Sequence, residues 1–369
     1  MPSKKTKKRV VLGEKMLKEI HEEPASIRNT LQSQADNIKA ISFTLAQRRP
    51  DRIFLMGSGT SYHAGVIGAY VLSSLAKTLA IPVQASEFVE YAGNAINPQD
   101  VVIALSQSGE STDTLKALTV AKEKGALIVG ITNTPGSTMT LESHHSIITI
   151  AGVEESVVAT KTFQAQLVVT ILLMTELARE LGFVEAKRAA EITQSFEVVA
   201  SKIAGGLDSW QRQTKKIATK LKATHDVFVL GFGEGFALAL EAGLKLKEAS
   251  LIHSETFSIA EFRHGPVSLV TKGVAAIIIA PSVPERMEFA EKLVRELKEK
   301  KATVVTIVEE GKPMAAGDVD FQIAIPSVDG LLAPMLQVVP IQLLAHDLAL
   351  ARRINPDSPR HLTKVVKIG

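Results

Sequence analysis

The chain carries one pattern twice. The run Arg52 to Met56 leads into Gly57-Ser58-Gly59, and 174 residues later Asp226 to Leu230 leads into Gly231-Phe232-Gly233. Further short runs rich in Ile and Val keep the same order. In the first copy they are Pro82 to Ala85, Val101 to Leu105, Leu127 to Ile131 and Ser146 to Ile150; in the second, Val274 to Ala280, Thr303 to Ile307 and Phe321 to Ile325. An apolar helical segment closes each copy, Phe163 to Leu181 and Met335 to Leu350. Buried strands alternating with helices are the signature of an α/β fold, and a register kept over this distance marks duplication. The expectation is two tandem domains, each a five-stranded parallel doubly wound sheet flanked by helices.

This reading divides the chain into a basic, poorly ordered arm over 1–15, a helical segment over 16–47, a first domain over 48–184, a linker helix (Glu185 to Leu207) and second domain over 185–350, and a tail over 351–369. A length of 369 residues suits two domains. The net charge of +3 points neither to nucleic acid nor to a membrane surface. The one lopsided stretch, Lys4, Lys5, Lys7, Lys8 and Arg9, reads as a solvated arm. With no cysteine in the sequence, disulfides, thiolate nucleophiles and cysteine zinc sites are excluded, and a reducing cytoplasm is the natural compartment. No secretory segment follows the arm. No uninterrupted apolar run approaches the roughly 20 residues of a membrane span, so a soluble protein is expected.

The two copies differ where chemistry would sit. After its third strand the first carries Ser106-Gln107-Ser108-Gly109-Glu110-Ser111-Thr112-Asp113 and then a helical pattern; the second has Pro281-Ser282-Val283-Pro284 there. Hydroxyls, backbone N–H groups and the positive end of a helix suit an anion, and the missing Gly-Lys-Ser/Thr argues against a nucleotide triphosphate. A sugar phosphate fits, with Thr60 and Ser61 beside it; the alternative is an ordinary cap by Ser111 or Thr112. Neither glycine pair completes G-x-G-x-x-G, and tight strand-to-helix turns explain the glycines. Glu241, Lys245 and Glu248 share one helix face, which ordinarily means a solvated ion-pair stripe. His264 lies in a turn bounded by Gly265 and Pro266; it is either merely exposed or, with a glutamate, a proton-transfer group. The tail from Ser358 to Lys364 is either frayed or folded over a site.

Together these stretches resemble the isomerase half of the glutamine:fructose-6-phosphate amidotransferase (glucosamine-6-phosphate synthase) family, which is built from two sugar isomerase (SIS) domains. The likeness runs from about Met16 to Gly369. It is carried by Lys18-Glu19-Ile20-His21-Glu22-Glu23-Pro24, Gly59-Thr60-Ser61-Tyr62-His63-Ala64, Ser106-Gln107-Ser108-Gly109-Glu110, Leu246-Lys247-Glu248, His264-Gly265-Pro266 and Pro359-Arg360 to Lys364. The resemblance implies that Thr60, Ser106, Gln107, Ser108 and Ser111 bind the sugar phosphate, and that Ser61, Val157, Ala159 and Thr363 line the sugar. It implies that Glu248 moves a proton between C1 and C2 of the open-chain sugar, with Lys245 assisting. It also implies that His264 opens the ring from a partner subunit of a homodimer, and that Lys364 forms a Schiff base with the ketose carbonyl. No cofactor and no metal are implied.

Two departures shape the functional expectation. The family's glutaminase nucleophile is an N-terminal cysteine, which has no counterpart here, and Ala159 stands where the family typically carries a serine. The reading is an enzyme interconverting glucosamine 6-phosphate and fructose 6-phosphate plus ammonia, in the first place an isomerising deaminase. The alternatives are the isomerase domain or subunit of a synthase working with a separate glutaminase, a lyase acting on a related amino-sugar phosphate, and a non-catalytic hexose-phosphate sensor.

Overall fold

Val101–Leu105 shows why these runs become strands. All five residues are aliphatic and all are buried, so both faces of the strand must be covered by other elements. The computed structural model describes residues 11–314 and 319–364. The first sheet comprises β1 (Ile53–Gly57), β2 (Ala80–Gln84), β3 (Val101–Leu105), β4 (Leu127–Thr132) and β5 (His145–Ile148), in the order β2-β1-β3-β4-β5. The second comprises β6 (Asp226–Gly231), β7 (His253–Ser258), β8 (Ala275–Ile279), β9 (Thr303–Glu309) and β10 (Phe321–Ile325), in the order β10-β9-β8-β6-β7. Every pairing is parallel. The strand order reverses between β1 and β3 and again between β6 and β8, and each reversal opens a crevice at the carboxyl ends of the strands.

A shared helical layer lies between the sheets. It contains α2 (Glu23–Arg48), α3 (Thr60–Leu75), α7 (Lys161–Glu180), α8 (Ala186–Leu221), α9 (Glu234–Ser250) and α11 (Ala333–Ala351). Their apolar residues form one core that draws on both repeats. The outer face of the first sheet packs on α4 (Ala85–Ala92) and α5 (Thr112–Glu123); that of the second packs on α10 (Pro284–Glu299). Gly330–Ala351, the helical stretch among the described residues long and apolar enough to cross a membrane, has 83% of its most apolar part buried in this packing. It is a core helix.

Three expectations change. The helix read over Met16 to Gln47 is two helices, α1 (Glu14–His21) and α2, with Glu22 between them and Pro24 in the first turn of α2. Proline has no N–H to continue an earlier helix but suits a first turn. The linker helix runs on to Leu221, through Gly205 and Gly206, because it packs along α11 and α2. Gly206 is required there, since a Cβ would come within 2.4 Å of the Trp210 ring. The fifth strand of the second sheet, β7, had no legible signal in His-Ser-Glu-Thr-Phe-Ser: it is an edge strand, with Ser254 its one fully buried residue. Of the basic arm, residues 1–10 lie outside the described residues, whereas Glu14 and Lys15 already belong to α1.

Candidate active site

The first crevice is built by two tight turns. Beyond β1, Gly59 adopts φ 52° and ψ −126° before α3 begins at Thr60; Gly233 adopts φ 55° and ψ −124° before α9, so both repeats use the same glycine turn. Beyond β3, the loop 106–111 is braced from within. The Gly109 N–H donates to Ser106 Oγ (3.1 Å) and the Glu110 N–H to Ser108 Oγ (3.2 Å). Ser111 occupies the N-cap position of α5, yet its hydroxyl makes no capping bond. Ser111 thus stands at the cap position the alternative expected, and it also lines the cleft.

That cleft has a volume of about 280 Å³. Thr60 and Ser61 line it from α3, and Ser106, Gln107, Ser108 and Ser111 from the β3 loop. Val157, Ala159, Glu248, Thr363 and Lys364 complete its wall, together with Glu154, Asp113 and Leu362, which the sequence reading did not single out. Ser61 is anchored from behind by Gln166, whose Nε2 donates to its Oγ at 2.9 Å.

Across the cleft, the stripe on α9 is not solvated. Glu241 and Lys245 are wholly buried and the Glu248 side chain is 23% exposed, because α9 packs on α3 of the other repeat. Lys245 Nζ lies 2.6 Å from Glu248 Oε2, 3.3 Å from Glu241 Oε1 and 3.1 Å from Thr60 Oγ1. Thr60 Oγ1 in turn donates to Glu241 Oε1 at 3.0 Å, and His63 Nδ1 sits 2.7 Å from Glu241 Oε2. Burial opposes charge on Glu241, but Lys245, His63 and Thr60 outweigh it and hold its pKa below the usual carboxylate range. Burial likewise opposes charge on Lys245, and the carboxylates of Glu241 and Glu248 outweigh it and raise its pKa. Lys245 is thus a fixed cation, and Glu248 is the charged member of the network that lines the cleft, beside Thr60.

The tail closes the remaining side. Asp357 accepts the Met16 N–H through its side chain (2.8 Å) and the Val157 N–H through its carbonyl (3.1 Å), which lays the tail over the cleft instead of leaving it frayed. Lys364 Nζ then donates to Glu154 Oε2 at 2.7 Å and to the Ser156 carbonyl at 2.6 Å. Glu154 is buried and also accepts from the Thr160 N–H (2.8 Å), the Thr162 N–H (3.2 Å) and Thr162 Oγ1 (2.7 Å). His264 is elsewhere. It ends the 3-10 turn Glu261–His264, exposed itself although Phe262 in the same turn is buried, before Gly265 at φ 143°, and does not line the cleft of its own chain.

The geometry defines a class: a duplicated parallel α/β protein with a composite cleft that takes a hydroxyl-rich loop from one repeat and a glutamate backed by buried charges from the other. Residues 44–176 and 220–352 each match the SIS domain, and the chain belongs to that family. Over 96% of its length the chain is 38% identical to the isomerizing glutamine–fructose-6-phosphate aminotransferase of Gloeobacter violaceus, and 37% identical to that of Caldanaerobacter subterraneus subsp. tengcongensis. It spans 58% and 59% of the length of these relatives. Among solved structures it is similar to the C-terminal domain of glucosamine-fructose-6-phosphate aminotransferase from Francisella tularensis, with a TM-score of 0.86 and 26% identity, covering 97% of this chain and 100% of that one. It is also similar to glucosamine-6-phosphate deaminase from Thermotoga maritima, with a TM-score of 0.75 and 27% identity, covering 96% and 99%.

Proposed function

We propose that the chain interconverts fructose 6-phosphate plus ammonia with glucosamine 6-phosphate. The observation that carries this reading is the meeting of Glu248 and Lys364 with the hydroxyl-lined loop in one cleft. Thr60, Ser106, Gln107, Ser108 and Ser111 take the phosphate, while Ser61, Val157, Ala159 and Thr363 flank the sugar. His264, supplied by the partner of a homodimer, opens the ring. The Lys364 amine condenses with the C2 carbonyl and releases water; ammonia then adds at C2 and displaces the lysine. Glu248 removes a proton from C1 and returns it to C2 while the C1 hydroxyl proton passes to the nitrogen, leaving an aldehyde at C1 and an amine at C2. Lys245 cannot take that proton, because it is already an ammonium; its part is to hold Glu248 in place. No step requires a cofactor, and the cysteine-free sequence accords with a reducing cytoplasm.

In the direction of synthesis, ammonia comes from a glutaminase, as the names of the aminotransferase relatives suggest. The likeness to the Thermotoga deaminase favours the opposite direction. Purified protein supplied with glucosamine 6-phosphate alone is expected to release fructose 6-phosphate and ammonium in equal amounts, and to run backwards with ammonium. The ratio of the two rates names the direction. Tight hexose phosphate binding without turnover either way would instead make the chain a sensor.

A further inference from the structure

Both acceptors that hold Lys364 come from one irregular segment, residues 154–156. That segment is gripped from the far side by α1. The buried carboxylate of Glu19 accepts the N–H of Glu155 and that of Ser156, the latter at 3.2 and 3.3 Å from its two oxygens. Ser156 therefore has its N–H on Glu19 and its carbonyl on the Lys364 ammonium. The helix bearing Glu19 is itself tied to the tail, since the Met16 N–H donates to Asp357 and the Gly13 N–H to Asn355 Oδ1 at 3.1 Å. Burial and the neighbouring Glu154 carboxylate push the Glu19 carboxyl up to about 7, so a costly group is retained there.

We infer that Glu19 is a positioning residue for Lys364: by fixing the Glu155 and Ser156 peptides it sets the direction in which the lysine amine faces the sugar carbonyl. Glu154 has its own supports in Thr160 and Thr162, so the Ser156 carbonyl is the limb that depends on Glu19. The inference rests on the Schiff-base role proposed above for Lys364. A nucleophile must approach a carbonyl within a narrow range of distance and angle, and a misplacement of about 1 Å costs up to about 100-fold in rate.

The test is borohydride trapping with fructose 6-phosphate on the full chain, reading the Lys364 adduct by peptide mass alongside steady-state kinetics and thermal melting. In Glu19→Ala, trapping and kcat are expected to fall about tenfold or more with KM within about twofold. Glu19→Gln, which keeps an acceptor for both N–H groups, is expected to restore most of the loss. Glu19→Asp keeps the charge but withdraws it by one methylene; it is expected to show the same fall in trapping and kcat, and it carries the test if the alanine variant does not fold. An adduct formed at the wild-type rate in the folded Ala or Asp variant overturns the positioning role alone, as does a KM that rises in step with the loss of kcat. Absence of any adduct on wild-type Lys364 overturns the Schiff-base reading and this inference with it.

Discussion

Thr60 and Glu248 stand on the equivalent helices of opposite repeats and share one cation, with Lys245 Nζ 3.1 Å from the first and 2.6 Å from the second. The duplication explains the division of labour. Shifting Glu241, Lys245 and Glu248 back by 174 positions lands on Ile67, Val71 and Ser74 of α3, which are uncharged, while the loop 106–111 has only Pro281 to Pro284 as its counterpart. One repeat carries the hydroxyl-rich loop and the other the buried charges. The cleft exists because α3 packs against α9.

On the proposed mechanism, Glu248→Gln is expected to lower kcat about 100-fold or more while the dissociation constant for hexose 6-phosphate stays within about threefold, because the amide cannot accept the C1 proton and the loop 106–111 is untouched. Exchange of the C1 hydrogen with solvent, measured beside equilibrium binding, checks this. Wild-type exchange would remove Glu248 from the mechanism.

Lys245→Met leaves two carboxylates at a buried site without their cation and is expected to cost about 3 to 5 kcal/mol in urea unfolding. Adding Glu241→Gln removes one of the stranded charges and is expected to recover part of that loss. A double variant no more stable than the single would show that the network is not electrostatically coupled.

Gly109→Ala tests the phosphate site proposed at the loop 106–111. Gly109 adopts φ 67°, and a Cβ there would come within 2.2 Å of Ser137 Oγ. The loop must deform, so binding of inorganic phosphate, followed by calorimetry, is expected to weaken about tenfold or more. Unchanged affinity would place the anion elsewhere in the cleft.

Glu23→Gln bears on stability alone. Glu23 is wholly buried on α2, accepts from Gln164 Nε2 at 3.1 Å, and burial pushes its carboxyl from the ordinary 4.5 up to about 8. Between those values the native chain retains a proton that the unfolded chain has released. The stability contributed by this group is thus full below the lower value and is lost as pH rises through the higher one. The variant, which does not titrate, is expected to gain on the wild type as pH rises from about 5 to about 8.5 in urea unfolding. A difference between the two proteins that does not change with pH would refute the shift.

Much of this protein was legible before any coordinates. The strands β1, β3, β4, β6, β8 and β9 announce themselves because residues buried on both faces must be apolar throughout, and the repeat doubled each signal. The loop 106–111 was legible because hydroxyls and glycine cluster between a strand and a helix. Edge strand β7, half-buried and polar, gave no such signal. Nor did Glu154, which is the first residue of an ordinary Glu-Glu pair in a loop.

The two α/β repeats, the glycine turns and the hydroxyl-rich loop 106–111 could be read from the chain alone, since each depends on the burial pattern or backbone geometry of a few neighbouring residues. It took the packing of distant elements to bury Glu241 and Lys245, to lay the tail over the cleft, to bring His63 to Glu241 and to set Glu19 against the segment holding Lys364. Those contacts join residues more than 100 positions apart, with no periodicity between them. A charge on a helix face looks the same in a sequence whether water or a second helix lies beyond it, and the packing of α3 on α9 settles which.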